Sequence, residues 1–231
     1  MIEHLLLDIE GATTPIAFVH EVLFPNARRL MPEFVEGHFD DPSCAEELGE
    51  VRRSVAEALG SAPEDVTPEQ VAAQLVAWID SDHKGSPLKS LQGRVWRAGY
   101  EAGEFRGDLF DDVAPAFHRW RAASLGVWIF SSGSVEAQEL LFRHSTAGDL
   151  TPLIDGYFDT TTGAKRDADA YRRIAAAIGA EPARVLFLSD MPAELDAASE
   201  AGMSTALTLR PGNAPVAEPA HPTAVNFDEL P

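Results

Sequence analysis

The chain has a single cysteine among 231 residues, Cys44. One cysteine allows no intrachain disulfide and no cysteine metal cluster. It lies in the acidic stretch DDPSCAEELGE without basic neighbours, so an unreactive thiol is expected. Basic residues are scarce: 18 Lys and Arg stand against 37 Asp and Glu, a formal net charge of −19. A surface that acidic repels nucleic acid and anionic membranes. A site for an anionic substrate must therefore build its own positive field from a cation, Lys, Arg or backbone N–H groups. No apolar run approaches the length of a membrane span, and no signal peptide precedes the first strand. The expectation is a cytoplasmic protein, a monomer, with no nucleic-acid or membrane partner. No internal repeat is present, and from about Phe18 to Gly103 there is no strand candidate.

What is present starts with LLLDIEGATTP, residues 5–15. An apolar run of Leu5, Leu6 and Leu7 ends in Asp8, and a second acid, Glu10, follows two positions later. Such a run reads as a buried strand of a parallel sheet. Ligands of such sheets bind past the carboxyl ends of the strands, where Asp8 would sit. Two carboxylates that close need a cation, a proton or strong hydrogen bonds to coexist. A Mg²⁺ site that handles phosphate supplies the first of these. The plainer reading is a strand end capped by a solvated acid.

The helical stretch opens with HEVLFPNARRLMPEFVEGHF, where Pro25 and Pro32 should end or kink helices. The next helix starts at Pro42-Ser43 and stops at Gly60. Thr67 is an N-cap before Pro68, and Ser86-Pro87 repeats that start signal. After Gly107 helices and strands alternate. VAPAFHRWRAASLG reads as a helix ended by glycine, GVWIFSSGS as a strand running into a hydroxyl-rich turn, and VEAQELLFRHS as a helix. GYFDTTTGAK reads as a short strand and loop, DADAYRRIAAAIGA as a helix, RVLFLSD as a buried strand, PAELDAASEAGM as a helix and STALTLR as a last strand. The Pro- and Ala-rich tail from Pro211 is expected to lie extended over the surface. Alternation implies βαβ units: an α/β fold with a Rossmann-like, doubly wound parallel sheet. Residues 1–16 and 107–231 form its core domain, and residues 17–106 a helical cap inserted after the first strand, placed to act as a lid.

Four strand ends or helix starts carry polar chemistry: Asp8 and Glu10, then Ser131-Ser132-Gly133-Ser134, then Lys165 after Gly163-Ala164, then Asp190 with Glu194 and Asp196 beyond it. Each alone is weak. The serine turn could be an ordinary N-cap, a loop lysine is nearly always solvated, and Asp190 could be a cap. Their order resembles the haloacid dehalogenase superfamily, whose phosphotransferases use a nucleophilic aspartate, a hydroxyl, a lysine and a metal-binding acid in that sequence. Glutamate at the second acidic position, where most relatives have aspartate, resembles the enolase-phosphatases of methionine salvage. So do TTPIAFVHEVLFP, LKSLQGRVWRAGYEAG, VAPAFHRW, SSGSVEAQELLFRHS, GYFDT and RPGN. Ala12 departs from the family, which usually has threonine there.

The resemblance implies a haloacid dehalogenase-like core and a Mg²⁺-dependent enzyme. It would convert 2,3-diketo-5-methylthiopentyl 1-phosphate to 1,2-dihydroxy-3-keto-5-methylthiopentene and phosphate. Asp8 would form an aspartyl-phosphate, and Glu10 would protonate the leaving oxygen and then activate water. Ser131, Ser132 and Lys165 would bind phosphate. Asp8, Glu10 through its backbone carbonyl, and Asp190 would ligate Mg²⁺. Glu194 is a supporting candidate, and Lys84, Lys89 and Trp96 are candidates for substrate contact. The alternative enzyme is a broader small-molecule phosphatase of the same superfamily. A receiver domain would be roughly half this length without a helical insertion. A non-catalytic module should have lost Asp8, Lys165 or Asp190.

Overall fold

A computed structural model describes residues 1–81, 83 and 85–230. The chain divides into two compact units: Met1–Val19 with Arg106–Pro231, and His20–Phe105.

The first unit is built on six parallel strands. They are β1 (His4–Leu7), β2 (Gly126–Phe130), β3 (Gly156–Phe158), β4 (Val185–Ser189), β5 (Ser204–Thr208) and β6 (Thr223–Ala224), in the spatial order β3-β2-β1-β4-β5-β6. The order reverses direction between β1 and β4, which makes the gap beyond their carboxyl ends the switch point of a doubly wound sheet. The register sets Leu7 beside Ile129 on one side and Leu188 on the other, so Asp8 emerges at that gap.

Side chains alternate across the strands. Leu6, Phe130, Val185 and Phe187 pack under helices α8 (Ala168–Ile178) and α9 (Pro192–Glu200), with Tyr171, Ile174, Leu195 and Ala198. Leu5, Leu7, Val127, Ile129 and Leu188 lie on the opposite face and are fully buried. Helices α6 (Val113–Ala122) and α7 (Val135–Arg143) follow the crossovers on that side, their Phe117 and Phe142 rings 5.9 Å apart. A short α1 (Ile16–Phe18) ends the first segment, and a π-helical turn, Val19–Leu23, leads out of the unit.

Two sequence expectations for this unit need correction. Helix α6 ends before Gly126, with Ser124 taking the left-handed conformation at φ 60°. Gly126 opens β2, as the strand reading of GVWIFSSGS has it, and a Cβ there would collide with the His4 ring. The tail is not merely laid over the surface. Thr223–Ala224 extends the sheet beside Leu207 and Thr208, and Phe227 is fully buried against Trp120. A strand of two residues is too short to show alternation, so the sequence carries no period for it.

The second unit contains α2 (Phe24–His38), α3 (Ala45–Leu59), α4 (Pro68–Asp80) and α5 (Ser86–Ala102). Met31, Val35, Leu48, Val51, Leu75, Leu91 and Val95 form its core, and Cys44 is buried within it. Thr67 and Gln70 form the capping box of α4, and Gly60 closes α3 at φ 67°. Two signals read differently in the structure. Of the two outcomes expected at Pro32, an end or a kink, the end does not occur: helix α2 runs on through this solvent-facing proline while Ala27, Met31 and Val35 share the buried stripe. Ser86 is already helical, and the cap of α5 is Gly85. Trp96 donates its indole N–H to the Leu23 carbonyl at 2.9 Å, a packing role inside this unit. Lys89 is half-buried on α5, and Lys84 lies outside the described residues.

Candidate active site

Asp8 follows β1 and is 4% exposed. Its Oδ1 accepts the Ile9 N–H at 2.8 Å. Its Oδ2 lies 2.6 Å from Lys165 Nζ and 3.1 Å from Ser189 Oγ. The same ammonium reaches Glu194 Oε2 at 2.7 Å, and Ser189 Oγ is 3.1 Å from that oxygen as well. The hydroxyl has one proton, so it donates to one carboxylate at a time. Its oxygen accepts the Met191 N–H at 3.1 Å.

Lys165 is therefore buried, not solvated. Tyr171 donates its hydroxyl to the Lys165 carbonyl at 2.7 Å and so anchors the loop from the α8 side. Burial pulls the ammonium down in pKa, but Asp8 and Glu194 together outweigh it and leave the pKa raised. Glu194 is pushed up to about 7 by burial and then by Asp8, with Lys165 working against the shift.

Glu10 stands in the turn after Asp8 and is half-buried. The turn folds back on itself: Ala12, Thr13 and Thr14 all donate N–H to the Ile9 carbonyl, and Gly11 N–H donates to Thr14 O at 2.9 Å. The Gly11 N–H and the Glu10 carbonyl belong to one trans peptide, so that carbonyl points away from Thr14. Gly11 has φ 70°. A Cβ there would stand 2.7 Å from Cγ and Oδ2 of Asp190 and 3.0 Å from Asn213 Oδ1. Only glycine lets the Asp190 carboxylate approach the turn this closely. Burial raises Asp190 to about 6; Asp8 and Glu10 push the same way and Lys165 opposes them.

Ser131 leaves β2 one strand away, and its Oγ accepts the Gly133 N–H at 3.2 Å. Ser132 is exposed. Gln138 from α7 donates to the carbonyls of Gly133 and Phe158, stitching this turn to the end of β3. Ser134 does cap α7, accepting the Ala137 N–H. Thus Asp8, Lys165 and Glu194 are in direct contact, Asp190 abuts the Glu10 turn, and the serine turn lies at the neighbouring strand end. Ala12, the family departure, is fully buried.

Sequence reasoning did not assign roles to Ser189, Tyr171, Gln138, Thr208 or Asn213. Ser189 had a local signal, since it precedes Asp190 at the end of a buried strand. The others are ordinary polar residues whose partners lie far away in sequence.

The haloacid dehalogenase-like hydrolase family profile matches residues 2–202. The enolase-phosphatase E1 of Sorangium cellulosum is 52% identical over 225 residues, covering 97% of this chain and 95% of that protein. The chain belongs to the enolase-phosphatase branch of this family. The enolase-phosphatase E1 of Synechococcus elongatus is 53% identical over 229 residues, covering 98% of this chain and 96% of that one. Among solved structures, the UTR4 protein of Saccharomyces cerevisiae superimposes with a TM-score of 0.84 at 37% identity, covering 100% of both chains. CbbY of Rhodobacter sphaeroides, solved with phosphate, shares the fold at a TM-score of 0.58, 22% identity and coverage of 100% of this chain and 96% of that one. This chain thus carries a haloacid dehalogenase-like core with a helical block following its first strand.

Proposed function

We propose that this protein is a Mg²⁺-dependent enolase-phosphatase of methionine salvage, acting on 2,3-diketo-5-methylthiopentyl 1-phosphate. The observation that carries the reading is the buried contact of Asp8 with Lys165 at a switch point that Asp190 also borders. A buried ion pair is weak evidence for stability, which favours a chemical reason for keeping it.

Among the described residues no cluster of three or more His, Cys, Asp or Glu side chains is spaced to hold a metal ion. The donor set fits Mg²⁺ in another way. Two carboxylates, Asp8 and Asp190, and the Glu10 backbone carbonyl are hard oxygens, and water and phosphate complete such a shell. Bound there, Mg²⁺ would neutralise phosphate charge as the nucleophile approaches.

The protein's own groups do the rest. An Asp8 oxygen attacks phosphorus in line, forming the aspartyl-phosphate as the phosphorus–alkoxide bond breaks. Lys165 holds Asp8 in place and faces the charge that gathers on the phosphoryl oxygens. Ser131 and Ser132, with the N–H groups of their turn, bind those oxygens. Glu10 gives its proton to the departing alkoxide. It then takes one from the water that attacks phosphorus, which releases phosphate and restores Asp8. Glu194 and Ser189 keep Lys165 and Asp8 aligned between steps.

An anaerobic assay with the diketo phosphate, following ultraviolet absorption and released phosphate together, tests the reading. Both signals should require Mg²⁺. Equal turnover of many unrelated sugar phosphates would favour the broader phosphatase. Glu10→Asp should lower turnover of the diketo phosphate by at least about tenfold, because the shorter acid moves the proton donor out of reach. Full turnover by that variant would remove the specific role of the glutamate. Among the described residues no helix is long and apolar enough to cross a membrane. We place the enzyme in the cytoplasm as a monomer, which fractionation and sedimentation would check.

A further inference from the structure

Three side chains outside the reaction scheme converge on the turn that carries Glu10. Thr208 Oγ1, at the end of β5, donates to the Gly11 carbonyl at 2.9 Å. Asn213 Nδ2 donates to the same oxygen at 2.9 Å and to the Thr208 carbonyl at 3.0 Å. Arg210 Nε donates to the next carbonyl, that of Ala12, at 3.0 Å. The segment after β5 therefore grips two successive carbonyls of the turn.

Arg210 keeps its Nη2 donor buried without a hydrogen-bond partner among the described residues, whereas Asn213 leaves over an acceptor. Its Oδ1 is buried without a hydrogen-bond partner among the described residues. That oxygen and the Asp190 carboxylate both lie within 3.0 Å of the point a Gly11 Cβ would occupy. Two acceptors beside one point are costly unless a proton-bearing or positive group joins them. A residue serving only to fasten the tail gains nothing from leaving an acceptor there.

We propose that Asn213 is a positioning residue for the carboxylate site: through the Gly11 carbonyl, its amide sets the Glu10 turn at the spacing from Asp190 that Mg²⁺ binding requires. The inference rests on the Mg²⁺ reading given above. The mechanism is mechanical. The Gly11 carbonyl held by two donors fixes one peptide of the turn, and the Gly11 N–H bond to Thr14 fixes the preceding one. That preceding peptide presents the Glu10 carbonyl, the expected ligand. Losing the Asn213 donor leaves the Gly11 carbonyl to Thr208 alone and the turn to its own backbone bonds, a looser grip in which the ligand carbonyl shifts relative to the two acids.

The test is calorimetric titration of Mg²⁺ into EDTA-stripped, dialysed full-length protein without substrate, alongside its melting temperature in EDTA. Asn213→Ala should weaken Mg²⁺ binding by about tenfold, the low end for losing a group that supports metal ligands. Turnover should fall at limiting Mg²⁺ and recover as Mg²⁺ is raised. Thr208→Val removes one donor to the same oxygen while keeping its shape, and should give a smaller loss in the same direction. Wild-type affinity in Asn213→Ala, with the melting temperature unchanged, overturns the proposal and leaves the Mg²⁺ reading standing. Should Asn213→Ala fail to fold, unchanged affinity in Thr208→Val overturns it instead. Absence of Mg²⁺ uptake by the wild type removes the cation reading and this inference with it.

Discussion

Both units of this chain carry exposed ion pairs, such as Arg184–Glu3 in the sheet unit, but among the described residues only the sheet unit also buries pairs almost completely. In the helical unit Arg28 pairs with Asp80 across α2 and α4, with side chains 56% and 49% exposed. In the sheet unit Lys165 pairs with Asp8 and Glu194, and all three side chains are 11% exposed or less. Arg210 and Asp112 repeat the buried pattern at 3% and 13%. Exposed pairs are screened by solvent and add little to stability. Buried pairs carry a desolvation cost that packing alone would avoid. The sheet unit accepts that cost where strand ends converge, and there the chemistry proposed above requires ionised groups.

The difference can be tested most severely at Asp8. Asp8→Asn leaves Lys165 its contact with Glu194, so the fold should persist. Phosphate release should drop by roughly 10⁴-fold or more, the scale for losing one member of a concerted catalytic set. Near-normal release in the presence of Mg²⁺ would falsify the covalent route. Lys165→Met asks the converse question about stability. It leaves two carboxylates buried without their cation, which costs about 3–5 kcal/mol when one partner of a buried pair is removed. Glu194, already raised to about 7, can take a proton and soften the loss. Urea denaturation in EDTA at a pH above 7 should therefore show a large drop in midpoint, smaller at acidic pH. A midpoint unmoved at both pH values would mean that the buried charges are solvated after all.

Glycines sharpen the same contrast. Gly11 and Gly60 have nearly the same φ, 70° and 67°. A Cβ on Gly60 meets nothing within 4 Å, whereas one on Gly11 meets Asp190. Gly60→Ala should cost only about 1–2 kcal/mol of left-handed strain and spare activity. Gly11→Ala should cost more and, by displacing Asp190, raise the Mg²⁺ concentration needed for turnover. Equal behaviour of the two variants in melting and Mg²⁺ titration would contradict the role given to that close approach. The smallest effect is expected at the exposed pair. Arg28→Ala should leave both the urea midpoint and turnover within experimental error of the wild type.

Much of this architecture is legible in the amino-acid sequence. The strands at Leu5–Leu7, Gly126–Phe130 and Val185–Ser189 are short apolar runs of the kind a buried parallel sheet takes, and the polar residues closing them stand at the edge where the proposed chemistry lies. Thr67 and Gly60 announced helix ends because caps act over three or four residues. Pro32 misled because the local rule counts a lost hydrogen bond but not the buried stripe that holds the helix through it. The tail misled because β6 gains its meaning from β5, a partner on another stretch of chain.

The sequence by itself thus determined the local elements, their order, and which acids, hydroxyls and lysine stand at strand ends, since period and capping are short-range physics. Only the tertiary structure decided that Lys165 is buried between Asp8 and Glu194. The same holds for Gly11 lying under Asp190 and for Asn213 gripping the turn from 202 residues away. Those contacts follow from strand order and register, which bring distant residues to one edge, and no local pattern along the chain encodes a distance across it.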